Sequence, residues 1–106
     1  MFKDKVVLIT GGSRGIGNAV ALEFAKANAN VIINYTASDE TANKTINEMK
    51  SLNSNGSFEA VKFDVSNYDE TEDKIKYIQE KYKKIDILVN NAGITRDSLF
   101  MRMKES

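Results

Sequence analysis

Val6-Val7-Leu8-Ile9 is an unbroken apolar run closed by Thr10 and two glycines. Such a run suits a strand buried on both faces better than one alternating between core and water. The period then lengthens. Ile16, Val20, Phe24 and Ala27, with Ala19 and Leu22 beside them, recur at helical spacing as far as about Asn28, so the glycines open a helix with one apolar stripe. Val31-Ile32-Ile33 restores the buried-strand pattern. Ser38 ahead of Asp39 and Glu40 supplies an N-cap and first-turn acids for a second helix, whose apolar face is Ala42, Ile46 and Met49 and which NSNG, residues 53–56, brings to an end.

Residues 58–65 return to strand, with Val61, Phe63 and Val65 on one face. Ser66, with Asp69 three positions on, resembles a capping box in which Asp replaces the usual Glu or Gln. Asp69, Glu70, Glu72 and Asp73 crowd the start of the helix that follows, and Lys81, Lys83 and Lys84 its end, the order that the helix dipole favours. Thr71, Ile75, Ile78 and Tyr82 form its buried stripe. Residues 85–89 make a fourth strand, and residues 98–104 open a further helix. The order is βαβαβαβ plus the start of a helix, which predicts right-handed crossovers, a parallel sheet and helices on both of its faces. That is an α/β arrangement, the N-terminal half of a doubly wound fold, with residues 1–106 as its single unit.

Composition narrows the chemistry. A chain of 106 residues without repeats or low-complexity tracts is one small domain. Fifteen basic residues balance fifteen acidic ones, so no net field draws it to nucleic acid or to an anionic membrane, and a bound anion must be held locally. With neither cysteine nor histidine, disulfides, thiolate sites, the usual zinc ligands and a histidine base are excluded, and no metal site is expected. The apolar run at Val6 to Ile9 is too short for a signal-peptide core. No stretch approaches the ~20 apolar residues of a membrane span, so the expected location is the cytoplasm.

TGGSRGIG, Thr10 to Gly17, sits where the first strand becomes the first helix. Gly11 and Gly12 can take backbone angles closed to other residues, Gly17 lets the helix approach the sheet, and the free N–H groups at the helix start suit a pyrophosphate. The spacing Gly11-x-x-x-Gly15-x-Gly17 differs from the commoner Gly-x-Gly-x-x-Gly, but strand before and helix after supply the context such a motif needs. A tight turn with no ligand is the bland alternative, and a P-loop is excluded because no Gly-Lys-Ser/Thr follows.

An NAD site places an Asp or Glu about 20 residues past the glycines, on the ribose hydroxyls. Here Asn34-Tyr35-Thr36 stands in that place, and Asp39 and Glu40 come later. Arg14 is placed to pair with a 2′-phosphate, with Ser13 and Thr36 as further donors, which favours NADPH (NADP+) over NADH. Arg14 as a solvated loop cation is the competing reading.

With TGGSRGIG at the first turn and NNAG, Asn90 to Gly93, after the fourth strand, the chain resembles the short-chain dehydrogenase/reductase family over its whole length. Family members are typically more than twice as long. The resemblance implies a Rossmann-type sheet with strand order 3-2-1-4. It implies Gly11, Gly12, Ser13, Arg14, Gly15 and Ile16 around the pyrophosphate, with Gly17 completing the motif and Arg14 and Thr36 toward the 2′-phosphate. Asp64 and Val65 would border the adenine, and Asn91, Ala92, Gly93 and Ile94 would line the nicotinamide ribose. Asn90 would tie strand ends together. Within the family, DILVNNAGITRDSLFMRMKES is most similar to the 3-oxoacyl-acyl-carrier-protein reductases of fatty acid synthesis. These reduce a β-ketoacyl thioester with NADPH, so the resemblance implies an acyl-carrier-protein-bound substrate and a homo-oligomer, a tetramer in the family.

The family's chemistry uses a tyrosine acid, a lysine four residues later and an upstream serine, all expected after NNAG, so no catalytic residue can be named. Tyr77 and Lys81 have the Tyr-x-x-x-Lys spacing, but they precede NNAG and fall roughly opposite the buried stripe of their helix, toward solvent. The chain therefore reads as the cofactor-binding half of a longer oxidoreductase, inactive alone. A non-catalytic NADP(H)-binding module, a truncated product that folds poorly and a dehydrogenase for another carbonyl or alcohol are the alternatives. Strand 4, IDILVNN, would then lie at an edge and invite pairing with other chains, while Leu99, Phe100, Met101 and Met103 carry more apolar surface than a solvated tail should.

Overall fold

The computed structural model describes residues 2–13 and 15–91. Its elements are β1 (Val6–Thr10), α1 (Gly15–Lys26), β2 (Asn30–Tyr35), α2 (Asp39–Leu52), β3 (Phe58–Lys62), α3 (Tyr68–Tyr82) and β4 (Ile87–Asn90). The strands form one parallel sheet in the order β3-β2-β1-β4, as expected. Val7 is registered on Val31 to one side and on Ile87 to the other. Every residue of β1 is buried, because apolar side chains leave both faces of this strand and each face is covered.

On one face Val6, Leu8, Ile32, Val61 and Phe63 pack with Ile75 and Ile78 of α3. On the other, Val7, Ile9, Val31 and Ile33 pack with Ala21 and Ala25 of α1 and with Ile46 and Met49 of α2. Removing a side chain such as Leu8 or Phe63 from water stabilises the fold by about 1.5–3 kcal/mol each.

The expected face of α1 is out of phase. Its buried residues are Gly17, Ala21 and Ala25, while Ile16 is 76% exposed and Val20 and Phe24 are only half-buried. Small side chains let the helix lie close to the strands, and the large apolar ones are displaced to its flank, where Phe24 meets Phe2 edge to face with ring centroids 5.4 Å apart. The helix stops at Lys26, short of Asn28, which takes a left-handed conformation at φ 73°, a cap that Asn tolerates.

For α2 the sequence reading holds: Ser38 is the N-cap, its hydroxyl accepting from Thr41 N–H at 3.1 Å, and Ala42, Ile46 and Met49 are buried. For α3 the stripe holds but the cap does not. Asn67 is the N-cap, accepting from Glu70 N–H at 3.0 Å, because Ser66 is engaged with Asp64 instead. The β3 ladder ends at Lys62, three residues earlier than expected, although Phe63 N–H still donates to the Tyr35 carbonyl at 3.0 Å. The fourth strand begins at Ile87 because Asp86 turns its carboxylate onto Val6 N–H at 2.8 Å. The helix expected over 98–104 lies outside the described residues.

Candidate cofactor-binding site

The turn after β1 is crowded from behind. Gly11 is in the left-handed region at φ 65°, which an L side chain adopts only at a cost. A Cβ on Gly17 would stand 2.2 Å from the Gly11 carbonyl oxygen, so only glycine lets the first turn of α1 close onto the loop. Gly12 differs from the expectation. Its φ is not among the positive ones, but a Cβ there would stand 2.6 Å from Ile33 Cγ2, so its requirement is for space rather than angle.

Polar bonds fix the same turn from three sides. From β2, the buried Asn34 receives Gly11 N–H on its Oδ1 at 3.0 Å and Gly12 N–H on its backbone carbonyl at 3.0 Å. From α2, the buried Thr45 hydroxyl lies 2.8 Å from Asn18 Oδ1 and 3.4 Å from the Ser13 carbonyl. From β4, Asn91 Nδ2 donates to the Gly11 carbonyl at 3.3 Å and its N–H to Thr10 Oγ1 at 2.9 Å. Asn90 Oδ1 accepts from the Thr10 hydroxyl at 3.2 Å, which ties the ends of β1 and β4 together as expected for Asn90.

In front of the turn is a cleft of about 320 Å³ at the C-terminal ends of β1, β2 and β3. The structure brings Gly11, Ser13, Thr36, Asp64 and Val65 together around it, and Asn34, Tyr35, Ala37 and Ser38 complete its wall. Gly12, Gly15, Ile16, Gly17 and Asn91 do not line it. Arg14, Ala92, Gly93 and Ile94 lie outside the described residues, as do Arg96, Leu99, Phe100 and the rest of the C-terminal stretch. A larger hollow of about 820 Å³ along the outer side of α2 is lined by Glu40, Lys44 and Glu48. It is an open groove of solvated side chains on which no strand end converges, so we assign it no role.

The electrostatics of the cleft follow from its hydrogen bonds. Asp64, fully exposed, accepts from the Ser66 hydroxyl at 2.7 Å and from Ser66 N–H at 2.9 Å, and these bonds hold its carboxyl below the usual aspartate range. Tyr35 donates to Asp39 at 2.7 Å, and that bond, with a little burial, raises the phenol. Asp39 is also 3.7 Å from Lys62 Nζ, so this carboxylate, the first after β2, already has two partners.

Tyr77 and Lys81 do not simply project into water. Both reach across to Glu59 on β3: the Tyr77 hydroxyl donates to Glu59 Oε2 at 2.5 Å, Lys81 Nζ stands 2.8 Å from Oε1, and Tyr82 donates to Oε1 at 2.6 Å. Burial pushes Glu59 up, but the three donors outweigh it and leave the carboxyl below its ordinary value. Lys81 is raised, first by its bond to Glu59, and Tyr82 is raised by burial and by Glu59. With its hydroxyl engaged near the N-terminal end of β3, away from the C-terminal strand ends that carry the cleft, Tyr77 forms part of a structural cluster. Among the described residues no group of three or more acidic, histidine or cysteine side chains converges to hold a metal ion.

Sequence reasoning missed Asn34 and Thr45. An amide directly after the apolar run Val31-Ile32-Ile33 was the available signal, since a polar side chain in line with a buried strand needs partners.

The family model described as short chain dehydrogenase matches residues 5–106. The chain belongs to the short-chain dehydrogenase family. Among curated members, it is 46% identical over 105 residues to the 3-oxoacyl-acyl-carrier-protein reductase FabG of Staphylococcus aureus, covering 99% of this chain and 42% of that protein. It is 45% identical over 100 residues to the corresponding reductase of Synechocystis, covering 94% of this chain and 40% of that protein. The chain thus spans about two fifths of the length of these two curated relatives. Among solved structures, levodione reductase aligns with a TM-score of 0.85 at 25% identity, covering 99% of this chain and 48% of that one. A metagenomic short-chain oxidoreductase in complex with NADP aligns with a TM-score of 0.80 at 28% identity, covering 88% and 41%. Membership makes the chain part of an oxidoreductase family with this parallel sheet. No helix among the described residues is long and apolar enough to cross a membrane.

Proposed function

We propose that this chain is the N-terminal, cofactor-binding part of an NADPH-dependent 3-oxoacyl-acyl-carrier-protein reductase. The observation that carries the reading is the cleft at the ends of β1, β2 and β3, closed behind by a turn in which a Cβ at Gly12 or Gly17 would collide. A loop packed to that limit brings main-chain N–H groups close to a ligand, and a pyrophosphate at a helix N-terminus is the ligand that such a loop suits. The shared sequence with reductases of that name supports the substrate assignment.

In this reading Ser13, Arg14, Gly15 and Ile16 hold the pyrophosphate, Arg14 and Thr36 hold the 2′-phosphate, and Asp64 and Val65 border the adenine. Asn91, Ala92, Gly93 and Ile94 line the nicotinamide ribose. Tyr35 in place of an acid leaves the 2′-phosphate unopposed at the end of β2, and Asp39 is engaged with Tyr35 and Lys62. When bound, NADPH supplies the hydride that reduces the β-keto group. The chain's own part is to bind and orient it, and the groups that deliver the proton are not among these 106 residues. An acyl-carrier-protein-bound substrate, a homo-oligomeric assembly and a cytoplasmic location belong to the same proposal.

Titration of the 106-residue chain with NADPH and NADH, followed calorimetrically, tests it. We expect NADPH to bind at least about tenfold more tightly, the worth of one charge-assisted phosphate contact, with no turnover of a β-ketoacyl thioester. Equal affinity for the two cofactors would remove the assignment of Arg14 and Thr36, and reduction that persists after repurification would return attention to Tyr77. The likeness to levodione reductase over 99% of the chain favours a second reading, a dehydrogenase of the same family acting on another carbonyl.

A further inference from the structure

We infer that Asn34 is a positioning residue for the cofactor, setting the shape of the pyrophosphate turn and locking it to the adenine side of the cleft. The inference rests on the cofactor reading above. Asn34 is 1% exposed, and its amide is satisfied at both ends by main chain from two different strand ends. Oδ1 accepts from Gly11 N–H at 3.0 Å, and Nδ2 donates to the Phe63 carbonyl at 2.7 Å. Its own carbonyl accepts from Gly12 N–H at 3.0 Å. An N–H only donates and a carbonyl only accepts, so these partners fix which way the amide points.

The place of Asn34 in the sheet explains why it takes this role. Its strand lies between β1 and β3, and the β1 ladder to β2 closes with Ile9 on Ile33, one residue before Asn34. On the β1 side, where the ladder has closed, the side chain carries it on to Gly11; on the β3 side, where pairing runs on through Tyr35 and Lys62, it adds a bond to Phe63, the residue before Asp64. Gly11 and Gly12 N–H groups are thereby committed to Asn34. Contacts to a pyrophosphate fall to the residues after Gly12, and Asn34 determines where those residues stand.

No other side chain of similar size does this. Leucine would leave a buried N–H and a buried carbonyl without partners, and a carboxylate would set charge against the Phe63 carbonyl in a dry site. A protonated Asp, however, matches Asn: its carbonyl oxygen accepts from Gly11 and its O–H donates to Phe63. Asn34→Asp is therefore a variant that acid should repair.

The test is NADP+ binding by calorimetry to the 106-residue chain, wild type, Asn34→Ala and Asn34→Asp, from pH 5.5 to 8, with Gly11 amide exchange followed by NMR. Asp39 and Asp64, the carboxylates at the neighbouring turns, and the cofactor's own phosphate are common to all three proteins and cancel in the ratio of affinities. We expect Asn34→Ala to lose protection at Gly11 N–H and to bind roughly tenfold or more weakly, the scale of one orphaned buried group. Asn34→Asp should be comparably weak at pH 8 and approach wild type as the pH falls.

Wild-type affinity in both variants, with wild type itself binding, overturns the inference and leaves the cofactor reading intact. A deficit in Asn34→Asp that persists at the pH where protection of Gly11 N–H has returned also overturns it, since the turn would then be re-tied without restoring affinity. Absence of NADP+ binding by the wild-type chain sinks the cofactor reading and this inference with it.

Discussion

β3 and β4 both lie at the rim of the described sheet, one beyond β2 and the other beyond β1, yet their outward sides are built from different chemistry. On β3, Glu59 gathers Tyr77, Lys81 and Tyr82 from α3, and Lys62 is exposed and paired with Asp39. A charged, short strand roofed by a polar cluster is how a sheet edge is kept from recruiting another strand. Along β4 the residues are Ile87, Leu88, Val89 and Asn90, all half-buried, with apolar side chains toward both core clusters. Lys84 and Asp86, just before it, pair with each other at 3.1 Å. The first strand has the composition of an edge and the second that of an interior strand. Position in the sheet and preparation for that position are separate properties, and only the side chains report the second.

The largest effect that would break this comparison is on stability. Phe63→Ala, at the β3 end of the buried core, should cost about 3–5 kcal/mol, measured by urea unfolding. Leu88→Ala, only half-buried, should cost less than half of that, and equal losses would mean that β4 is as fully packed as the centre. Association is the next test. We expect the 106-residue chain to self-associate through β4 and Val89→Lys to raise the concentration needed by roughly tenfold, about 1.4 kcal/mol. Light scattering that shows a monomer at high concentration for wild type would contradict the assignment of β4 as an unprotected rim.

The smallest effect concerns Glu59. Because its carboxyl is held below the ordinary 4.5, the stability it contributes is complete above that value. It is lost as the pH falls through the lower folded value. Wild type should therefore lose more stability than Glu59→Gln between pH 7 and pH 3, read as a difference in urea midpoints, and parallel curves would remove the cluster's role at the β3 rim.

Much of this architecture was legible in the chain because period and burial go together. Val6 to Ile9 and Val31 to Ile33 are apolar on both faces, and only a covered parallel sheet gives such runs a home. Ser38 and the stripe of α3 were legible for the same local reasons. The phase of α1 was not, since large apolar residues dominate a pattern while the contact belongs to Gly17, Ala21 and Ala25. Nor was the Asn67 cap, because Ser66 satisfies the capping pattern equally well and only the Asp64 carboxylate decides between them. In the site, the glycines announced the turn. The bracing from Asn34 and Thr45 depends on which strand ends and helices are neighbours, information that no single stretch of sequence contains.

The glycine and alanine face of α1 also fixes how far the helix stands from the sheet. Turning the helix by one residue, about 100°, would bring Ile16, Val20 and Phe24 against β1 and lift its axis by the depth of a side chain. The start of the helix would then no longer close onto the Gly11 carbonyl. Gly17, Ala21 and Ala25 work as a spacer gauge: they set how closely the start of the helix stands behind the turn after β1, and in the proposed reading that standoff sets the size of anion the turn can admit.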